Sequence, residues 1–211
     1  MSSTSDKPIR LHIGSGAQHL PGFLNVDLRP FPGVDLVADV TEGLELEDGS
    51  VEAVFAEHFL EHLPVGKAVD FLIEVRRVLE PTGWLRLSTP NLDWVWKTHY
   101  RLEATEEEKR AFAVMMNRAF HGWEHKFLWN RETLARALEA VGFDDLQWRR
   151  YGESDLGVFR GIERHETWED EETLPHVIIV EARKGPLRKK ELAELRSWLQ
   201  EEFLRHVEEG Y

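Results

Sequence analysis

The segment Arg10-Leu-His-Ile-Gly-Ser-Gly16 is an apolar stretch that breaks into two glycines with one residue between them, and Asn25-Val-Asp27 follows shortly after. Glycine lets a strand turn sharply and brings bare backbone amides against a ligand. An acid at the end of the next strand can then take the two hydroxyls of a ribose. Together these residues point to a cofactor containing adenosine. Two more acids stand at ends of short apolar runs: Asp39 closes Val34-Asp-Leu-Val-Ala-Asp39, and Glu57-His58 follows Val51-Glu-Ala-Val-Phe-Ala56.

Histidines supply the other candidate chemistry. His58 and His62 are four residues apart, as are His121 and His125. On a helix that spacing puts two imidazoles on one face and suits a metal pair. Neither pair is an HExxH motif, Gly122 interrupts the second as a helix, and no third ligand stands at a matching spacing. No metal site is therefore expected. As general bases near neutral pH the candidates are His58, His121 and His125, in that order. His58 leads because it follows a strand end directly, whereas His62 reads as a helix residue beside the sheet.

These residues need a scaffold that gathers strand ends. Ala68, Leu72, Val75 and Leu79 fall at helical spacing, the helix stops before Pro81, and Gly83-Trp-Leu-Arg-Leu-Ser-Thr-Pro90 reads as a strand. Strands alternating with helical connections imply a parallel sheet with ligands at its carboxyl ends. Asn130 caps a later helix carrying Leu134, Leu138 and Val141 on one face, and Gly142 ends it. A strand with Leu146 and Trp148 follows, and Val177-Ile-Ile-Val180 is a buried strand. Between these two strands, 152–173 reads as a long surface loop with a short helix.

The ordered set LHIGSG, NVD, VADV, LEDGSVEAVFAEHFLEHL and RVLEPTGWLRLSTPN resembles the class I methyltransferases that use S-adenosylmethionine, most closely the small bacterial type 11 group. The resemblance runs from about Ile9 to Lys184. It implies a Rossmann-like doubly wound α/β sheet, mostly parallel with an antiparallel last strand. It further implies that Gly14, Ser15 and Gly16 line the methionine and ribose of the cofactor, that Asp27 holds the ribose hydroxyls and that Asp39 meets the adenine amino group. Leu28 and Val40 would stand beside those acids, and the Ala56, Glu57 and His58 segment would border the transferable methyl. Two departures are visible. His12 stands where relatives have an acid, and 17–23, with Pro21 and Gly22, is too short for the helix they place between the first two strands.

The expected organisation is a disordered N-terminus (1–8), one methyltransferase domain (9–184) with an aromatic cap insertion (91–130), and a C-terminal amphipathic helix (185–211). The cap holds Trp94, Trp96, Tyr100, Phe112, Met115, Met116, Phe120, Trp123, Phe127 and Trp129, and its Thr105 and Glu108 fit a capping box. It can serve as a substrate wall or as an accessory core over the sheet edge. The tail carries Leu192, Leu195, Leu199 and Phe203 at spacings of three and four, a stripe that packs on its own domain or pairs with a second copy.

With 211 residues and no cysteine, disulfides, thiolate metal sites and cysteine nucleophiles are excluded. A formal charge of -13 argues against nucleic-acid substrates. No apolar run is long enough for a membrane span or a signal-peptide core, so a cytoplasmic monomer or homodimer is expected. The function read from the sequence is methyl transfer from S-adenosylmethionine to a small-molecule acceptor at oxygen, such as a sugar or other secondary metabolite. The alternatives are a non-catalytic S-adenosylmethionine-binding protein and an NAD-dependent oxidoreductase. The latter is disfavoured because Gln18 and His19 stand where a third glycine belongs.

Overall fold

The computed structural model describes residues 8–165 and 173–208. The expected disorder of 1–8 falls outside them but for residue 8. Seven strands form one sheet: β1 (Ile9–Ile13), β2 (Leu24–Asp27), β3 (Leu36–Val37), β4 (Val51–Glu57), β5 (Leu79–Pro90), β6 (Phe143–Arg149) and β7 (Val177–Lys184). Their order is β3-β2-β1-β4-β5-β7-β6. The first five run parallel, and β7 is antiparallel to both β5 and β6. This is the Rossmann-like sheet that the resemblance implied.

β5 begins earlier than the apolar pattern suggests. Leu79 pairs with Val51 directly after helix α1 (Val65–Val78), and regular pairing resumes at Trp84 opposite Ala53. Pro81 and Gly83 lie in the excursion between those two pairings. A proline cannot donate to a ladder, so it is accommodated where the pairing is interrupted.

One face of the sheet is covered by α1, α4 (Arg131–Val141) and α5 (Lys189–Leu199), which contact one another. α1 buries Ala68, Leu72 and Val75 against it, and α4 buries Leu134, Leu138 and Val141. Asn130 caps α4 by accepting from the Thr133 amide at 3.0 Å. Gly142 ends it at φ 103°. Leu195 and Leu199 of α5 are buried in the same core, so the tail's stripe packs on its own domain.

The opposite face has a different cover. No helix connects β1 to β2, and Ala53 and Phe55 instead pack with Leu20, Phe159 and Ile162. The segment after β6 is therefore more than the expected surface loop. Phe55 and Phe159 are both buried, each contributing about 1.5–3 kcal/mol relative to exposure. The same segment brings Glu163 to Arg86, which also pairs with Glu181 at 2.5 Å, all three fully buried. Arg149 reaches the second oxygen of Glu181 at 2.9 Å, and Ser154 donates to the first at 2.5 Å. Two guanidiniums facing two carboxylates balance in charge, which is the condition for burying them.

Candidate functional site

The carboxyl ends of the parallel strands open on two cavities, separated by the turn that follows β4. His58, at the first residue past the strand, has φ 46°, a left-handed conformation that side chains with a Cβ rarely adopt. Its ring therefore leaves the helix line expected for His58 and His62. In the turn that follows, Phe59 and Leu63 face the first cavity, whereas His58, Glu61 and His62 face the second.

The first cavity, about 220 Å³, lies over β1 and β2 and is lined by Gly14, Asp27, Leu28, Asp39, Val40 and Thr41 among others. Asp27 accepts from the Gly16 amide at 2.8 Å and from the Arg29 amide at 2.9 Å, so the loop and the acid hold each other. Asp39 accepts from the Thr41 amide and hydroxyl at 2.9 and 2.7 Å. Gly14 (φ 67°) is required by the protein itself, since a Cβ there would sit 2.5 Å from the Phe59 ring. At Gly16 (φ 53°) a Cβ would meet open space. Ser15 is buried, with its hydroxyl unpartnered. His12 stacks on Phe55 and bonds Asn25 at 3.1 Å. Burial holds its pKa below the ordinary value, so it is a neutral, structural ring.

The second cavity is larger, about 920 Å³, within the range of small-molecule sites. Its floor is the ends of β4 and β5 and the start of β7. Its roof is the cap: α2 (Leu92–His99) gives Trp94, Val95 and His99, and α3 (Glu106–His121) gives Met115, Arg118 and Ala119. The Thr105–Glu108 capping box starts α3 as read from the sequence. Trp123 and His125 also line the cavity, whereas His121 is exposed at the end of α3 and does not. Phe112 and Trp129 are buried and Trp96 and Tyr100 point to solvent, so the aromatic segment is part wall, part accessory core and part surface.

Glu61 organises the second cavity. It is fully buried, its Oε1 lies 3.1 Å from His58 Nδ1, and its Oε2 accepts from the Thr89 hydroxyl at 3.0 Å. His58 Nε2 is buried with no protein partner. Burial opposes a charge on His58, but the hydrogen bond and charge of Glu61, with the charge of Glu57, prevail and raise its pKa. Glu57 itself turns away. Its carboxylate takes the Arg164 amide at 2.9 and 3.0 Å and the His165 ring at 2.5 Å. Burial works against its ionisation, yet these partners hold its pKa below the usual carboxylate value. Only its backbone remains to border a ligand, and Ala56 is wholly buried.

Residues 21–87, from the approach to β2 through most of β5, match the family model described as a methyltransferase domain. A methyltransferase from Archaeoglobus fulgidus dependent on S-adenosylmethionine superposes with a TM-score of 0.54 at 18% identity, covering 85% of this chain and 87% of that one. Its counterpart from Thermotoga maritima gives 0.51 at 14%, covering 85% and 83%. The Burkholderia thailandensis 1,6-didemethyltoxoflavin-N1-methyltransferase, solved with its acceptor and S-adenosylhomocysteine, gives 0.50 at 16%, covering 85% and 72%. No curated protein sequence matches the chain.

The chain has the fold of these methyltransferases, and residues 21–87 carry the methyltransferase-domain signature. The structural neighbours depend on S-adenosylmethionine or hold its product S-adenosylhomocysteine. The first cavity fits that cofactor in kind. Two acids stand at strand ends and Leu28 stays 65% exposed at the cavity although apolar, whereas Ser15 and Gly16 lie beside the cavity and not in its lining. Sequence reasoning missed Glu61, which carries no sign of burial in a run of Glu and His. It also missed His165, which lies in the segment read as surface. Among the described residues no helix is long and apolar enough to cross a membrane.

Proposed function

We propose that this methyltransferase methylates an oxygen of a small-molecule acceptor held under α2 and α3. The observation that carries the reading is the His58–Glu61 pair at the junction of the two cavities. With Glu61 ionised, His58 Nδ1 donates to it, and the unpartnered Nε2 is left as a proton acceptor. A base oriented by a buried carboxylate is what a hydroxyl acceptor needs, because its proton must leave as the methyl arrives.

S-adenosylmethionine supplies a methyl group already activated on a sulfonium. Gly14, Ser15, Gly16, Asp27, Leu28, Asp39 and Val40 would hold it in the first cavity. The protein's remaining tasks are to exclude water and to align the acceptor. Trp94, Met115 and Trp123 form the apolar part of that wall. His125 is a second candidate base, whereas the exposed His121 has no part in this reading. A cytoplasmic setting goes with it.

The test is His58→Gln assayed against a library of hydroxylated small molecules. Turnover should fall by about 100-fold or more. Binding of S-adenosylhomocysteine should stay within about twofold, since His58 does not line the first cavity. Undiminished turnover on a hydroxyl acceptor would remove His58 as the base. Turnover confined to amine acceptors would remove oxygen as the target.

A further inference from the structure

The histidine pairs read along the sequence do not form as pairs. The structure instead joins one member of each, His62 from the turn after β4 and His125 from beyond α3, with ring centroids 5.2 Å apart. Glu61 completes the group. One ligand atom of each of the three residues lies within 4.8 Å of the other two.

Three features make this more than a crowd of side chains. First, His125 Nδ1 lies 2.8 Å from the Ala119 carbonyl oxygen, which can only accept, so Nδ1 carries the proton and Nε2 keeps its lone pair. That arrangement, a ring N–H donated to a backbone carbonyl, fixes the tautomer of metal-bound histidines. Second, the His62 ring makes no hydrogen bond among the described residues although the residue is half-buried, so the ring is available as a ligand. Third, the two segments are strapped together by backbone. The amides of Lys126 and Phe127 both donate to the Glu61 carbonyl, at 2.7 and 3.2 Å. Just before them, Trp123 and Glu124 are held at φ 53° and 64°, and this turn delivers His125 to the group.

We propose that Glu61, His62 and His125 form a site for a divalent transition-metal ion of the zinc type, with an open position facing the acceptor cavity. Two imidazoles and one carboxylate are the ligand set of three-ligand zinc centres that keep a fourth position for water or substrate. Zinc bonds of about 2.0–2.1 Å put tetrahedral ligand atoms roughly 3.4 Å apart, so the three side chains need to close by at most about 1.4 Å. Glu61 retains capacity for the ion, because each carboxylate oxygen accepts twice. Its bonds from His58 and Thr89 then become the supports that orient a ligand. All three residues border the second cavity, so the open position points at whatever fills it. That the filler is an acceptor oxygen rests on the reading under Proposed function. The metal site itself does not.

The experiment is titration of the chelator-treated full chain with Co²⁺ alone, followed by visible absorption, then displacement by Zn²⁺. The expected result is one Co²⁺ per chain, with the intense d–d bands of four- or five-coordination, displaced stoichiometrically by zinc. His62→Ala and His125→Ala should each weaken binding by about 100-fold or more. Both variants should retain the parent's circular dichroism and S-adenosylhomocysteine affinity. Should His62→Ala not fold, His62→Gln and His125→Ala decide. Weak octahedral absorption without zinc displacement overturns the proposal, as does full-strength binding in both histidine variants. Cofactor binding without metal would leave the methyltransferase reading standing and sink only this site. The opposite pattern would do the reverse.

Discussion

The two cavities share a wall but are built in different ways. The proposed cofactor cavity is shaped by strand ends and tight turns, and its acids are fixed by backbone amides: Gly16 and Arg29 for Asp27, Thr41 for Asp39. The proposed acceptor cavity is roofed by helices with little of their own in the core. α3 buries Phe112 alone in sixteen residues, and α2 buries Val95 and His99. A region with few buried apolar contacts opens locally at low cost, whereas strands such as β4 open only with the whole domain. On the function proposed above, the difference teaches that chemistry common to the fold is placed by backbone, and that selection of the acceptor is left to the softer part.

The largest effect that could break this contrast is expected at Asp27. Asp27→Ala removes an acceptor from the glycine-loop amide together with the ribose contacts. S-adenosylhomocysteine affinity measured by calorimetry should fall by roughly 2 kcal/mol, a factor of about 30. An unchanged affinity would mean that the rigid cavity is not the cofactor site.

Trp123→Ala should act on the other side only. Its ring is 68% exposed yet borders the second cavity, so little stability depends on it. Acceptor KM should rise by about tenfold, the loss of one apolar wall, with cofactor affinity and Tm nearly unchanged. Equal losses of cofactor and acceptor binding would merge the two cavities into one functional unit.

At Gly16 a smaller effect is expected. The left-handed backbone costs a residue with a Cβ about 1–2 kcal/mol, and no protein atom obstructs the added methyl. Gly16→Ala should therefore lower Tm by a few degrees and weaken the cofactor by at least as much again if the ligand occupies that space. Gly14→Ala should destabilise by a different route, through Phe59, and Phe59→Leu in the same chain should recover part of the loss. Thermal denaturation of the two single variants and the double variant checks this pair.

The subtlest measurement is hydrogen exchange. Amides of α3 should exchange faster than those of Val177–Val180 in the free chain. They should slow slightly with S-adenosylhomocysteine and further with an acceptor. Exchange in α3 as slow as in β7 without ligand would make the cap a rigid accessory core.

What the sequence disclosed follows the same division. Local signals were legible: Asn130 and Gly142 bracket α4, Thr105 and Glu108 start α3, and Asp27 and Asp39 stand at the mouths expected of them. Each is decided by residues within a turn of one another or by the ends of apolar runs. Contacts between distant segments were not legible. His62 meets His125 only because the chain past α3 returns to the β4 turn, and no spacing within either segment encodes that. Leu156, Phe159 and Ile162 follow no period among their charged neighbours, so a segment that covers one face of the sheet reads as surface.

That covering segment also governs how the chain can come into being. In most sheets of this kind the connection after the first strand protects its face within a few dozen residues of synthesis. Here Ala53, Phe55 and Trp84 wait for Phe159 and Ile162, which are made only after β6. Until then the nascent chain presents an apolar surface and an unpaired Arg86, since both Glu163 and Glu181 arrive late. Late-formed, long-range contacts slow folding and prolong exposure to aggregation. Chains ending before Phe159 should accumulate on chaperones or precipitate, even though they already contain every strand and turn of the first cavity.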